Sequence, residues 1–215
     1  MFYPQIQTEQ LRKFTQFLAL GVLLIGAPIG SWYYLNKGFN ERKEALDQLR
    51  DYGKFQLTST TDVEGHPVTE DSLQQRFSVV GFLDNISKES AELKHAELLY
   101  KQFGRDGGIA LVTYMNAVDS TNLQSYATEV FSKQDGFWYI VNLSKERYNT
   151  MRNQIYGDSL RSGSHFALID TTLTIRNYYD ATDIKAVDAL AKHVAMFVAP
   201  TKARPDFIFR REKEK

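Results

Sequence analysis

The 215-residue sequence predicts an α/β domain, a mixed sheet flanked by helices on both faces, preceded by one transmembrane helix. Three observations carry this. An uncharged apolar stretch runs from Phe14 to Leu35; short β-type runs alternate with helical periodicities from residue 55 onward; and the last strands read as a hairpin before a final amphipathic helix. Composition agrees with a folded chain: 43% of residues are hydrophobic and 24% charged, enough apolar material for a core.

The N-terminal stretch meets the length of about 20 apolar residues that a spanning helix needs. Trp32, Tyr33 and Tyr34 end it, where amphipathic rings prefer the headgroup region, and Arg12 and Lys13 bracket the other side. A cleaved signal peptide would show small residues at alternating positions, and Ala27-Pro28-Ile29 does not, so the reading is an uncleaved anchor. Lys37, Arg42, Lys43, Arg50 and Lys54 follow it, a count that by itself would keep the C-terminal part in the cytoplasm. The expected organisation is a short segment 1–13, the anchor 14–35, a charged juxtamembrane stalk 36–52, a folded domain 53–199 and a charged tail 200–215.

Within the domain, Phe55 to Leu57 is expected to open a first strand, and Asp62-Val63-Glu64-Gly65-His66-Pro67 to turn the chain. Ser78 to Leu83, with paired valines, suits a buried strand. Ser87 is expected to cap a helix running from Lys88 to about Phe103, with Leu93, Ala96, Leu99, Tyr100 and Phe103 on one face. A strand over Ile109–Asn116, a helix over Asn122–Ser132, a strand over Phe137–Leu143 and a helix over Ser144–Gln154 follow. His165–Asp170 and Leu173–Tyr178 form the hairpin arms, and a helix over Thr182–Val198 is expected to bury Ile184, Val187, Leu190, Val194 and Phe197. This order matches a thioredoxin-like architecture.

Cysteine is absent, which removes disulfides, thiolate nucleophiles and thiolate metal ligands. The histidines at 66, 95, 165 and 193 show no zinc-type spacing, and no cofactor is expected. Lysine plus arginine balances aspartate plus glutamate at 26 each, without the basic excess that marks a nucleic-acid partner.

Phe55-x-Leu57, the Gly65 turn, Val79-Val80-Gly81-Phe82, and Leu168-Ile169-Asp170 with Arg176-x-Tyr178-Tyr179 together resemble the Sco/SenC family over about residues 52–198. Those are membrane-anchored thioredoxin-fold proteins associated with copper delivery to cytochrome oxidase. The resemblance implies two cysteines and a histidine as copper ligands. Here these positions fall on Ser87, Ala91 and Ser162, so all three ligands are missing. The resemblance also implies a bacterial cell-membrane location with the domain on the periplasmic side, against the simple charge count, and a respiratory oxidase or an assembly factor as partner.

Three functional readings result. The first is a non-catalytic Sco-like protein with a binding or scaffolding role. The second is a metal carrier or enzyme with a relocated site near Asp84 and His165. His165 stands five residues before Asp170 rather than the family's eight, an offset that turns a strand side chain to the opposite face. The third is a structural envelope module unrelated to respiration. Ser87 lacks an adjacent base and reads as a cap, and Asp84 reads as a turn residue with Asn85. His95, between Lys94 and Glu97, is expected to be solvated, and His66 and His193 to be structural. Of the run Phe137-Trp138-Tyr139, part is expected in the core and part on the surface.

Overall fold

The computed structural model describes residues 6–84, 87, 89–104, 108–116, 125, 137–157 and 163–198, with side chains from residue 14. The chain divides into two compact units, Met1–Asp47 and Gln48–Lys215.

The first unit is helical. Helix α1 (Ile6–Gly21) passes through a wider, π-type turn at Val22–Gly26 into α2 (Ala27–Asp47). Pro28 explains the widening. It has no N–H to give to the carbonyl one turn back, and its ring crowds that carbonyl, so the ladder opens there. Phe14–Asp47 is long and apolar enough to cross a membrane, and its apolar window buries nothing. Phe17, Leu24 and Trp32 stand fully outward, a surface suited to hydrocarbon rather than water.

The second unit holds a five-stranded sheet in the order β5-β4-β3-β6-β7. Strands β3 (Phe77–Leu83), β4 (Ile109–Met115) and β5 (Phe137–Asn142) are parallel; β6 (His165–Ile169) and β7 (Ile175–Asp180) run antiparallel to their neighbours. Every residue of β4 is buried, and so is β3 after Phe77, which is why both read as unbroken apolar runs. On one face Val79, Leu83, Leu111, Met115, Phe166 and Leu168 pack against α4 (Ala91–Leu99) and the C-terminal helix α6 (Ile184–Phe197). On the other, Val80, Phe82, Val112, Tyr114, Ala167 and Ile169 pack against α5 (Lys145–Tyr156). Gly81 is required where it stands, because a Cβ there would meet the Phe166 ring at 2.8 Å.

Several local expectations are corrected. Phe55–Leu57 makes no strand; Lys54 bridges Thr174, Phe55 N–H donates to the Leu173 carbonyl at 2.8 Å, and the Phe55 and Leu57 side chains are buried. The turn at 62–66 instead joins a small ribbon, β1 (Thr60–Thr61) and β2 (Pro67–Val68), followed by the one-turn α3 (Glu70–Leu73). Val63 N–H donates to Ile140 C=O, which docks that turn on the outer edge of β5. Helix α4 is capped by Ser90, whose hydroxyl accepts from Leu93 N–H, not by Ser87, whose backbone carbonyl accepts from Ser90 N–H. In α6, Ile184 is 47% exposed and Phe197 38%; Phe197 stacks on Phe77 at 4.5 Å instead of entering the core. Of the aromatic run, Trp138 is buried with its indole N–H on Thr113 Oγ1, and Phe137 is 37% exposed beneath the Arg76 guanidinium. Apart from Ser125, which is helical, the expected helix over 122–132 lies outside the described residues, as do Asn85, Lys88, Ser162 and the tail 200–215.

Candidate functional site

Parallel strands expose their C-terminal ends together, and open α/β sheets place their sites there. At that end lie Asp84 after β3, the first turn of α4, and Gly163-Ser164 leading into β6. Helix α5 crosses above them. Its Tyr148, Arg152 and Tyr156 stand four residues apart, which puts all three on one face, aimed at the sheet.

These residues tie the segments together. Arg152 Nη1 donates to Asp84 Oδ1 at 3.0 Å and its Nη2 to the Gly163 carbonyl at 2.6 Å. Tyr148 hydroxyl donates to the same Asp84 Oδ1 at 2.9 Å. Asp84 N–H donates to Ser164 Oγ at 2.9 Å, and the Ser164 hydroxyl donates to Glu92 Oε1 at 3.2 Å, a buried carboxylate on the first turn of α4. Tyr156 hydroxyl donates to His165 C=O at 2.7 Å. The result is a closed polar tie between β3, α4, α5 and β6. Burial, and then the charge of Asp84 with its hydrogen bond, push the Tyr148 phenol well above its ordinary value; burial does the same for Tyr156. Tyr148 therefore stays protonated and acts as a donor to Asp84.

The sequence-derived candidates can now be placed. Asp84 is no isolated turn residue: it has two side-chain partners more than sixty residues away in sequence. His165 pairs with Phe82 across β3–β6, so its side chain shares a face with Phe82 and Asp84. Asp84 and His165 thus occupy one end and one face of the sheet. No hydrogen bond joins them. His165 Nδ1 turns to the Gly163 carbonyl at 3.1 Å, and its ring lies 5.6 Å from that of Tyr156. A guanidinium already rests on Asp84, which disfavours a metal cation at the same oxygen. Ser87 and Ala91 are both exposed at the start of α4 and offer no soft ligand, and Ser162 lies outside the described residues.

Histidine placement departs from expectation once more. His95 is buried, not solvated, with Nδ1 at 2.7 Å from the Ala181 carbonyl, tying α4 to the entry of α6. His193 is structural: its Nδ1 meets the Tyr179 hydroxyl at 2.6 Å inside the core. Asp62, Glu64 and His66 bring ligand-type atoms within 4.8 Å of one another in the β1–β2 turn. There Asp62 Oδ1 accepts the N–H groups of Glu64 and His66, bonds that account for the turn itself. Sequence reasoning missed Arg152. The signal that could have found it is the Tyr-x-x-x-Arg-x-x-x-Tyr spacing, which sets an arginine between two aromatics on the same buried helix face as Met151 and Ile155.

The second unit is a thioredoxin-like domain, and the N-terminal unit supplies one apolar helix that could anchor it in a membrane. Solved structures similar to it include BsSco, a member of the Sco family of cytochrome c oxidase assembly proteins, at 13% identity over 68% of this chain and 95% of that one, with a TM-score of 0.53. A SCO1/SenC family lipoprotein from Bacillus anthracis matches at 12% identity over 67% and 94%, with a TM-score of 0.51. The Sco/SenC resemblance read from the sequence therefore meets structural neighbours of that family, and at these identities what is shared is the fold. No family model and no curated protein matches the sequence. Having no cysteine, this chain performs no thiol–disulfide exchange, which requires a thiolate.

Proposed function

We propose that this chain is a non-catalytic, membrane-anchored Sco-like protein that binds or scaffolds a partner, in the bacterial cell membrane with its domain on the periplasmic side. The partner proposed is a respiratory oxidase or one of its assembly factors. One observation carries the non-catalytic part: the sheet end where this fold places chemistry has Ser87 and Ala91 in place of thiols and is cross-tied by Arg152 through Asp84 and Gly163. The apolar helix Phe14–Asp47 supports the anchor, and the Sco-type neighbours support the choice of partner. The outward orientation follows the Sco-type neighbours, and the loop-charge count does not oppose it, because whole domains translocate largely regardless of loop charge.

The test is affinity capture of the full-length chain from mildly solubilised membranes, with partners identified by mass spectrometry. Oxidase subunits or assembly factors are the expected catch. Capture of unrelated envelope proteins would transfer the domain to the structural-module reading, and no catch at all would remove the binding role. A protease applied to intact spheroplasts should degrade the domain; protection would reverse the orientation.

A further inference from the structure

The tie at the sheet end leaves two groups without a partner among the described residues: Arg152 Nε, which is buried, and one oxygen of Asp84, which faces outward. Asp84 Oδ1 accepts from both Tyr148 and Arg152, whereas Oδ2 has no hydrogen-bond partner among the described residues. The Asp84 side chain is 44% exposed while that of Arg152 is only 7% exposed. Burying a guanidinium is costly, and its bonds to Asp84 and to the Gly163 carbonyl offset that cost. What the arrangement gains is orientation. A surface carboxylate ordinarily loses rotamer freedom when it engages a partner; this one is already fixed by two donors and by its own backbone N–H on Ser164.

We infer that Asp84 Oδ2 is a preorganised acceptor for a cationic side chain of the protein partner, and that the cation is a lysine ammonium. A single free oxygen suits a compact point charge; the two-pronged grip of an arginine needs both carboxylate oxygens, and here one is taken. This rests on the proposed binding function and gives it a contact point.

The experiment is capture of the full-length chain from solubilised membranes, followed by a zero-length carbodiimide, which joins a carboxylate to a contacting amine as an amide. The expected result is a cross-linked peptide pairing Asp84 with a lysine of the captured protein. In Asp84→Asn this peptide disappears and capture falls about tenfold, as for loss of one central charged contact; Glu70→Gln on α3 leaves capture unchanged. Raising the ionic strength weakens the wild-type complex. A partner captured without any cross-link at Asp84, and retained equally by Asp84→Asn, would overturn the inference and leave the binding function intact. If the wild-type chain captures nothing, both are lost. The wild-type cross-link decides the matter even where Asp84→Asn is poorly folded.

Discussion

Two aspartate–arginine pairs close the two ends of the sheet, and their burial is reversed. At the end where β3 stops, Arg152 is inside and Asp84 outside, with side-chain exposures of 7% and 44%. At the far end, where β6 turns into β7, Asp170 is inside and Arg176 outside, at 9% and 36%. Asp170 is saturated. Its Oδ1 accepts from Thr172 N–H, Thr172 hydroxyl and Thr174 N–H, and its Oδ2 from Arg176 Nε and Nη2. Lys54 closes the same turn from outside through the Thr172 carbonyl at 2.7 Å. Neither carboxylate oxygen is left over for a partner, and the pair shapes a turn in which Leu173 adopts a left-handed conformation. The Asp84 pair does the opposite, hiding its cation and presenting an oxygen. The same two residue types can therefore staple a fold or prepare a contact, according to which charge faces water.

That contrast can be broken in order of expected size. Asp170→Ala should cost the most, about 3 kcal/mol in urea denaturation of the detergent-solubilised chain, because the buried Thr174 N–H and the part-buried Thr172 and Arg176 donors lose one acceptor together. A loss below about 1 kcal/mol would mean that water replaces the carboxylate and the turn is not stapled. Arg152→Met should cost less, about 2 kcal/mol, since Asp84 is half exposed and returns to solvent when released. If it costs as much as Asp170→Ala, the two ends are equivalent and the distinction fails. Ser90→Ala, which removes the cap of α4 beside the tie, should cost about 1 kcal/mol in the same assay.

The smallest effect is expected from acid. Burial raises the Asp170 carboxyl, but the Thr174 and Thr172 bonds and Arg176 outweigh it and hold the carboxyl below its ordinary 3.8. Asp180 is also lowered, chiefly by the Thr182 hydroxyl and N–H. Depressed carboxylates bind protons more readily when unfolded. Their stabilisation is thus complete above pH 3.8 and is lost as pH falls through the lower folded values. Asp170→Asn should flatten that slope, and an unchanged acid limb would refute the assignment.

How much of this was legible in the sequence depends on range. The apolar N-terminal helix, the buried runs of β3 and β4, the β6–β7 hairpin and the alternation of helix and strand all follow from local periodicity. Local chemistry also placed the turn at Asp62–Pro67. What failed was decided by contacts between distant segments. His95 looks solvated between two charges, yet its ring reaches Ala181, 86 residues away. Asp84 looks like turn chemistry because Arg152 lies 68 residues further on. Ser87 and Ser90 are both good caps, and only the start of the helical ladder chooses between them. Ile184 and Phe197 have the right period for burial but sit at the two ends of α6, where Ile184 is exposed and Phe197 only stacks on Phe77 at the start of β3.

The most direct measurement is capture of the membrane partner carried out with and without a strong copper chelator. A binding protein without metal chemistry should retain oxidase subunits or assembly factors equally in both samples. Capture that appears only when copper is present would contradict the account and return function to a metal site.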